Sequence, residues 1–299
     1  MASSYRILVI NIGSTTTKVA FFENDHLKFQ QTIDHVSQQL KSITDYMEQF
    51  PLRKEGIEGF LAKHQIELSK CHMIVSRGGL TAPLSSGVYL VDEGMREDLR
   101  SGKYGQHPTN LGPLIAHDLA KQASIRAIIV DSPSIDEYQP LARISGIPEI
   151  ERKSAFHALN QKAAARKAAD EMGVRYEDTN MVVAHLGGGI TIGAHQKGRV
   201  IDSTLGVGEG PMTPERAGSL PTTDLLRLLD SGKFSLTDLR RRLTSRAGLL
   251  AYLGTNDVSQ VEAEIREGNE KASLILEAME YSAHCADILS NLIRHGLQD

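Results

Sequence analysis

Cysteine is scarce in this sequence, and its scarcity excludes two kinds of architecture. Among the 299 residues there are only two cysteines, Cys71 and Cys285. Two cysteines so far apart provide neither a disulfide framework nor the paired spacing of a structural zinc site. Such sparing use of cysteine is typical of a reducing compartment. We therefore expect the protein to reside in the cytoplasm.

Long apolar runs and basic runs are missing as well. No stretch approaches the roughly 18 apolar residues that a membrane-spanning helix needs, and the opening residues MASSYRIL carry no signal-peptide pattern. The net charge is −4, and the three arginines Arg240–Arg242 lie in an amphipathic pattern typical of a solvated helix face. We therefore expect neither a membrane nor a nucleic acid as a partner. An anionic substrate must be held by a few placed cations.

The apolar residues that are present indicate alternating strands and helices. Helical patterns cover residues 154–172, with Ser154 as the N-cap and Gly173 at the end, and also residues 235–246 and 271–294. Strands that alternate with helices predict an α/β fold with a mixed sheet. The strand patterns are Arg6–Ile10, Lys18–Glu23, His72–Val75, Arg126–Val130, Met181–Ala184 and Arg199–Asp202.

A short polar insertion divides the first strand pattern from the second. It consists of Gly13, Ser14, Thr15, Thr16 and Thr17, and Lys18 follows directly. A tight hairpin usually uses Asn-Gly or Asp-Gly, whereas this turn offers backbone N–H groups, four hydroxyls and an ammonium group. Those groups suit an anion, above all phosphate.

The same layout recurs in residues 181–202, where strand, glycine-rich turn, strand, polar turn and strand follow in order. The repeat aligns Asn11 with His185 and Gly13 with Gly187. Three successive glycines weaken a strand pair unless a ligand approaches the backbone, although a flexible bend is the alternative. Neither turn carries a P-loop or a G-x-G-x-x-G pattern. We expect a duplicated fold whose two turns face one cleft.

Six motifs extend this pattern along the chain. They are VINIGSTTTKVAFFE, VSRGGL (75–80), GQHPTNLGPLIA (105–116), VDSPSIDE (130–137), HLGGGITIGAH (185–195) and DSTLGVGEGPMTPERAGSLP (202–221). In this order they resemble butyrate kinase, a branch of the acetate kinase family within the actin-like ATPase superfamily. The resemblance implies a duplicated ribonuclease-H-like α/β fold, ATP with Mg²⁺, and reversible phosphorylation of butyrate or a related short- or branched-chain fatty acid to an acyl phosphate.

Two arginines and three histidines are the candidate catalytic and substrate-binding cations. Arg77 and Arg216 lie in glycine-bounded motifs, where a planar guanidinium can pair with phosphate or carboxylate. By resemblance they are the family's catalytic arginines, with surface salt bridges as the alternative. His185 ends a strand before the glycine turn, where its N–H can donate to a phosphate. His107 and His157 resemble further active-site histidines, and a structural hydrogen bond competes for His157.

Two oxygen-bearing side chains are the candidate metal ligands. Asp131 follows the apolar strand AIIV, where its carboxylate can hold Mg²⁺ directly or through water. It resembles the family's catalytic aspartate, with capping of the next turn as the alternative. Asn11 can contact phosphate or a Mg²⁺ water without adding charge. The cofactor-binding candidates are Asn11, Gly13, Ser14, Thr15, Thr16, Thr17, Lys18, His185, Gly187, Gly188 and Gly189, and the substrate-binding candidates are Arg77, His107 and Asn110.

The chain is expected to form two domains, an N-terminal one over residues 1–178 that includes the helix 154–172 and a C-terminal ATPase domain over residues 179–299. In the family that this sequence resembles, the last segment is a strand that ends in an adenosine-binding Gly-Gly turn, followed by a final helix. We recognise neither pattern in this sequence, whose last residues are IRHGLQD. A fragment, an altered reading frame and a genuine short form are all open. Three functions are also open, namely a butyrate kinase, an acetate or propionate kinase, and a non-catalytic nucleotide- or acyl-phosphate-binding relic. The resemblance implies a homodimer.

Overall fold

The computed structural model describes residues 4–35, 43 and 45–296, and the side chains of these residues up to position 286. The chain divides into two compact units, Met1–Ile135 and Asp136–Asp299. This boundary lies well before residue 178, where the sequence suggested the first domain to end. The difference arises because the helix that follows residue 157 buries Ala165 and Ala169 in a cluster with Met181 and Val183 of the second unit.

Unit 1 is built on a mixed sheet. Its strands are β1 (Arg6–Ile12), β2 (Thr16–Glu23), β3 (His26–Asp34), β4 (Met73–Ser76), β5 (Val88–Leu90) and β6 (Arg126–Val130). The order is β3-β2-β1-β4-β6-β5. Strands β1 to β3 form an antiparallel meander, β4 is parallel to both β1 and β6, and β5 is antiparallel to β6. The carboxyl ends of the three parallel strands β1, β4 and β6 therefore meet at one edge of the sheet.

The described part of unit 1 contains three α-helices, namely α1 (Phe50–Lys63), α2 (Glu93–Ser101) and α3 (Leu111–Gln122). Alternate residues of β1 are buried, so Leu8 and Ile10 lie with Phe60 of α1 and Ile115 of α3 in one core cluster. Helix α2 begins where the Asp92 carboxylate accepts a hydrogen bond from the Met95 N–H at 2.8 Å. The predicted mixed α/β fold is confirmed.

Unit 2 contains a second antiparallel meander, formed by β7 (Asn180–His185), β8 (Thr191–Gln196) and β9 (Arg199–Ser203). A two-residue turn joins β8 to β9, and both of its residues have positive φ, +48° at Lys197 and +81° at Gly198. That geometry matches the twist of a hairpin. Strand, glycine turn, strand, polar turn and strand thus follow in the order seen in β1 to β3, and the predicted repeat of this layout is confirmed.

The remaining helices belong to unit 2. They are α4 (Pro140–Arg143), α5 (Ala158–Glu171), α6 (Thr222–Asp230), α7 (Leu236–Ser245), α8 (Gly248–Leu253), α9 (Val258–Arg266) and α10 (Glu270–Gly296). Ser235 caps α7, because its hydroxyl accepts from the Asp238 N–H at 3.1 Å. Within the described part of the chain, no helix is both long and apolar enough to cross a membrane.

The start of α5 differs from the sequence prediction. Ser154 is not its N-cap, since the helix begins at Ala158 and His157 occupies the N-cap position. The cause is a tertiary bond, because the Ala155 carbonyl accepts a hydrogen bond from the Gly206 N–H at 2.8 Å and keeps this segment out of the helix. At the other end Gly173 has a φ of +69° and terminates the helix as predicted.

Candidate active site

The turn between β1 and β2 presents small polar groups at the carboxyl edge of the unit 1 sheet. The Gly13 N–H donates to the Thr16 carbonyl at 2.9 Å and closes the turn. Ser14 and Thr15 at its tip are exposed. Asn11 of β1 pairs in register with Lys18 of β2, so the two side chains lie on the same face of the sheet. The turn therefore has the exposed N–H, hydroxyl and ammonium groups expected of an anion site.

Thr17 is an exception among the predicted phosphate-binding residues. Its side chain is fully buried, its hydroxyl lies 2.9 Å from Nε2 of His35, and it accepts a hydrogen bond from Nη1 of Arg53 at 3.1 Å. The hydroxyl is therefore not available to a ligand, because the period of two in β2 turns it inward with Val19. Thr17 supports the turn from inside the protein.

Arg53 of α1 lies directly beneath this turn and was not predicted. It is fully buried and donates from Nη2 to the Ser14 carbonyl at 2.9 Å and from Nη1 to the Thr16 carbonyl at 3.0 Å. Burial lowers the pKa of Arg53 to about 10. Among the described residues no carboxylate pairs with it, and the sequence from 36 to 44 contains none. An uncompensated buried cation beneath the turn favours an anion above it.

Arg77 follows β4 at the same edge of the sheet. Its backbone N–H donates to the Ile10 carbonyl at 3.2 Å, which extends the pairing of β4 with β1. The side chain is half-buried, and this burial lowers the pKa of Arg77. Its guanidinium forms neither a hydrogen bond nor an ion pair with the residues that the structure describes. A partly desolvated guanidinium with unused donors suits a phosphate or a carboxylate.

Asn110 does not have the geometry of a substrate-binding residue. It is fully buried, its Oδ1 accepts from the Leu80 N–H at 2.9 Å, and its Nδ2 donates to the Gly105 carbonyl at 2.9 Å. The amide thus holds together the loops that carry Arg77 and His107. His107 itself is exposed, and its Nε2 lies 3.5 Å from the Ser14 hydroxyl at the phosphate-type turn.

Asp131 ends β6 in a constrained conformation. Its φ is +42°, in the left-handed region that non-glycine residues seldom adopt. The side chain is buried, and its Oδ1 accepts hydrogen bonds from the Ser86 hydroxyl at 2.6 Å and the Gly87 N–H at 3.1 Å. Such strain is common where a structure fixes a functional group.

In unit 2 an arginine and two imidazoles lie beside the glycine turn. The Thr213 hydroxyl donates to the Gly188 carbonyl at 2.9 Å and accepts from the Arg216 N–H at 3.0 Å, which ties the turn to the loop that carries Arg216. Arg216 Nη1 donates to the Gly206 carbonyl, and its Nε is buried without a hydrogen-bond partner in the described part of the chain. A buried donor of this kind needs an acceptor, which a bound anion can supply.

Gly189 lies where these groups converge. A Cβ atom at this position would lie 2.5 Å from Nη1 of Arg216 and 3.2 Å from Cε1 of His157. A side chain at this position would therefore displace the Arg216 guanidinium, so the absence of a side chain at Gly189 allows that guanidinium to approach the turn. At Gly188, in contrast, a Cβ would have nothing within 4 Å.

His157 and His185 form the second part of this cluster. Their rings stack with centroids 3.8 Å apart and planes 14° apart. His157 Nδ1 lies 2.9 Å from the Thr191 hydroxyl, and His185 Nδ1 lies 2.8 Å from Oδ1 of Asn160. Each ring is thus oriented through Nδ1 by a neutral polar partner.

A cavity of about 660 Å³ opens beside the glycine turn within unit 2. Its walls are mainly apolar, including Ile190, Leu276 and Met279, and polar groups come from Asn256 and Glu280. Both the size and the apolar lining are typical of small-molecule sites. No sequence pattern predicted this cavity, because its walls include two strands, a turn and two helices that are distant in the chain.

Each unit therefore collects its own share of the predicted residues. In unit 1 the turn, Arg77 and Asp131 follow the parallel strands β1, β4 and β6. In unit 2 the glycine turn, His157, His185 and Arg216 form one cluster. That the two turns face one cleft stays a prediction.

Comparison with known proteins agrees with this organisation. Residues 147–295, about half of the chain, match the model of the acetokinase family. The acetate kinase of Porphyromonas gingivalis is similar in structure, with a TM-score of 0.69 and 18% identity over 93% of this chain and 77% of its own. A propionate kinase from Francisella tularensis subsp. tularensis SCHU S4 is also similar, with a TM-score of 0.73 and 18% identity over 97% of this chain and 80% of its own.

The acetate kinase of Entamoeba histolytica gives a TM-score of 0.67 and 16% identity over 93% of this chain and 76% of its own. Similarity at these identities establishes the fold, and the family-model match covers the half that carries the glycine turn, both stacked histidines and Arg216. The chain therefore belongs to the acetate kinase family and has its actin-like ATPase fold.

Proposed function

We propose that this chain is a carboxylate kinase that transfers the γ-phosphoryl group of ATP to butyrate or a related short- or branched-chain fatty acid. The products are an acyl phosphate and ADP, and the reaction is reversible. The observation that carries the proposal is the cluster of Arg216, His157 and His185 over the backbone of Gly189. A guanidinium with an unpartnered buried Nε, beside two imidazoles and exposed glycine N–H groups, is suited to the oxygens of a phosphoryl group.

Catalysis of phosphoryl transfer consists mainly of alignment and neutralisation of charge. Arg216 and the two histidines supply donors from unit 2, and Arg77, Lys18 and the β1–β2 turn supply them from unit 1. The acceptor carboxylate is already a nucleophile, so the mechanism requires no general base. This explains a site rich in cations and amides.

The donor set of unit 1 fits a magnesium ion that is shared with a nucleotide. Asp131 and Asn11 would provide a carboxylate and an amide oxygen, the ligand types that Mg²⁺ prefers. Among the side chains described, no group of three or more His, Cys, Asp or Glu residues could hold a metal. Phosphate oxygens and water would therefore complete the coordination. When bound, Mg²⁺ supplies neutralisation of phosphate charge.

The apolar cavity beside Gly187 and Gly188 is the proposed seat of the nucleoside. Its volume of about 660 Å³ accommodates a purine and a ribose. Apolar contact stabilises a stacked base by about 25 cal/mol per Å² of buried area. Asn256 and Glu280 on its wall would supply polar contacts to the sugar or the base edge.

The choice of butyrate rests on the sequence motifs SRGGL and PERAGSLP, which resemble the butyrate branch. An acetate or propionate kinase is the second candidate, since two acetate kinases and a propionate kinase share the fold. A non-catalytic nucleotide-binding relic is the third. By resemblance we also propose a homodimer in the cytoplasm.

A hydroxamate assay separates these candidates. The purified chain is incubated with ATP, Mg²⁺, hydroxylamine and one acid at a time, namely acetate, propionate, butyrate or isobutyrate. We expect kcat/KM to be highest for butyrate or isobutyrate, and an Arg216→Gln variant to yield no signal above background. Preference for acetate or propionate would favour the second candidate. Nucleotide binding without hydroxamate from any acid would favour the relic.

A further inference from the structure

A chain of buried polar side chains extends from His157 into the interior of unit 2. It comprises Thr191 and His195 of β8, Gln161 of α5, and Tyr176, all of them buried. The Thr191 hydroxyl lies 2.9 Å from His157 Nδ1. Buried polar groups are costly unless they are satisfied, so a connected chain of this length restricts each member to one orientation.

The orientation of Gln161 follows from one backbone atom. Its amide nitrogen lies 3.0 Å from the Thr191 carbonyl, which can only accept a hydrogen bond. The amide oxygen therefore faces His195, whose Nε2 lies 3.1 Å away and must donate. In a neutral imidazole the other nitrogen then accepts, and Nδ1 of His195 lies 2.6 Å from the Tyr176 hydroxyl, which donates.

The same amide of Gln161 also determines which ring nitrogen of His157 carries the proton. Its second N–H points at the Thr191 hydroxyl, 2.9 Å away. The His157 backbone N–H also donates to this hydroxyl, at 3.4 Å. With both of its acceptor positions occupied, the hydroxyl directs its own proton at His157 Nδ1. Nδ1 of His157 thus accepts, and in the neutral ring the proton is held on Nε2.

The packing leaves little room for another arrangement. A Cβ atom at Gly193 would lie 2.2 Å from Oε1 of Gln161 and 3.0 Å from Nε2 of His195. Glycine at this strand position therefore makes space for the bond between Gln161 and His195. A side chain at Gly193 would therefore disrupt this hydrogen bond.

We propose that Thr191, Gln161, His195 and Tyr176 act as a positioning relay that holds His157 in the Nε2–H tautomer. The relay fixes the ring against His185 and places its proton on Nε2. That this donor serves the transferring phosphoryl group rests on the proposed carboxylate kinase function. The tautomer itself does not depend on that function, so the two parts can be tested separately.

Long-range ¹H–¹⁵N correlation spectra of protein labelled at histidine test the tautomer. The His157 signals are assigned by their loss in a His157→Gln variant. In the unsubstituted protein and in Thr191→Ser, which retains the hydroxyl, we expect the proton on Nε2 alone. Thr191→Val is nearly isosteric but lacks the hydroxyl, so we expect a mixture of tautomers. A proton on Nδ1 in the unsubstituted protein, or an unchanged tautomer in Thr191→Val, would overturn the relay.

Kinetics of the same pair of variants test the positioning role. Groups that orient a functional imidazole contribute about 10- to 100-fold to activity at metal sites, so we expect kcat of Thr191→Val to fall about tenfold or more. KM for ATP and for the acid should change by less than about threefold, and Thr191→Ser should recover most of kcat. Circular dichroism and melting curves confirm that both variants are folded.

The outcomes separate the relay from the proposed function. An altered tautomer with unchanged kcat in Thr191→Val would overturn the catalytic role of the relay. A fall in kcat that Thr191→Ser does not reverse would do the same, since the hydroxyl would not be its cause. If the unsubstituted chain forms no acyl phosphate, the proposed function fails and the positioning role with it, whereas the spectra still decide whether the tautomer is held.

Discussion

The imidazole rings of His157 and His185 stack with their centroids 3.8 Å apart, although one ring precedes α5 and the other ends β7. This stacking contact stabilises the local packing and also holds both imidazoles beside the glycine turn, where the candidate site lies.

Substitution of His185 separates the two contributions. We predict that His185→Phe retains the stack and the melting temperature but lowers kcat about 100-fold, because the donor to the phosphoryl group is lost. His185→Ala should lower both kcat and stability. Turnover measured beside melting curves checks this. Near-normal turnover in His185→Phe would remove the imidazole from the mechanism.

The two candidate arginines should respond alike to substitution. Arg77→Ala and Arg216→Ala are each expected to lower kcat roughly 10³-fold, as for other arginines that stabilise a transferring phosphoryl group. Lysine should restore little, because it lacks the planar pair of donors. Steady-state assays with each variant test this, and full activity of Arg77→Lys or Arg216→Lys would argue against bidentate contact.

Adjacent glycines of the unit 2 turn provide a matched pair. Gly189→Ala places a methyl group where Nη1 of Arg216 lies, whereas Gly188→Ala points into open space. We predict that Gly189→Ala displaces the Arg216 guanidinium and lowers kcat at least tenfold, with little loss of stability because that guanidinium is the end of a flexible side chain. Gly188→Ala should change the free energy of unfolding by less than about 0.5 kcal/mol. Equal effects at both positions would contradict the close approach at Gly189.

Arg53 should affect anion binding although it lies beneath the turn. Arg53→Met keeps most of the side-chain volume but removes the buried charge and the bonds to the Ser14 and Thr16 carbonyls. We predict that ATP and inorganic pyrophosphate raise the melting temperature of this variant by much less than that of the unsubstituted protein. Gln49→Leu, which loses only the Nε contact of Arg53, is the control. Equal ligand-induced shifts in all three proteins would refute the role.

The stability of unit 1 should depend on pH through His35. Burial, followed by the charge of Arg53 and opposed by Asp34, lowers the pKa of His35 below 6.5. As the pH falls below 6.5, the unfolded chain therefore takes up a proton that the folded chain resists. This contribution to stability is present above that pH and decreases in acid.

Urea unfolding at neutral and mildly acidic pH checks this dependence. The loss of unfolding free energy on acidification should be smaller in His35→Gln than in the unsubstituted protein. A residual loss is expected from His117, whose pKa is also lowered, chiefly by burial. An identical acid dependence in both proteins would show that His35 does not contribute.

Local sequence patterns were sufficient for the repeat and for the residues next to glycine turns. Short runs of apolar residues located β1 and β7, and the glycines marked the turns beside them. The inward position of Thr17 could also have been found, because it shares the alternation of Val19 and Phe21. The start of α5 could not, since a tertiary bond between Ala155 and Gly206 decides it.

The supporting residues of the site gave no comparable signal. Arg53 in a helix is normally a solvated residue, and its burial depends on the carbonyls of a turn far away in the chain. Gln161 and His195 are linked only once α5 packs against β8. Asn110 lies in a motif that resembles a substrate site, yet its amide is used within the protein. Contacts of this kind depend on tertiary structure, which periodicity does not encode.

The central claim is that this chain transfers a phosphoryl group from ATP to a short-chain carboxylate. The most direct test is ³¹P NMR of the purified protein with ATP, Mg²⁺ and butyrate, beside the Arg216→Gln variant. We predict that the γ-phosphate signal of ATP decreases while signals of ADP and an acyl phosphate grow, and that the variant shows neither change. Release of inorganic phosphate alone, or acyl phosphate formed equally by the variant, would contradict the account.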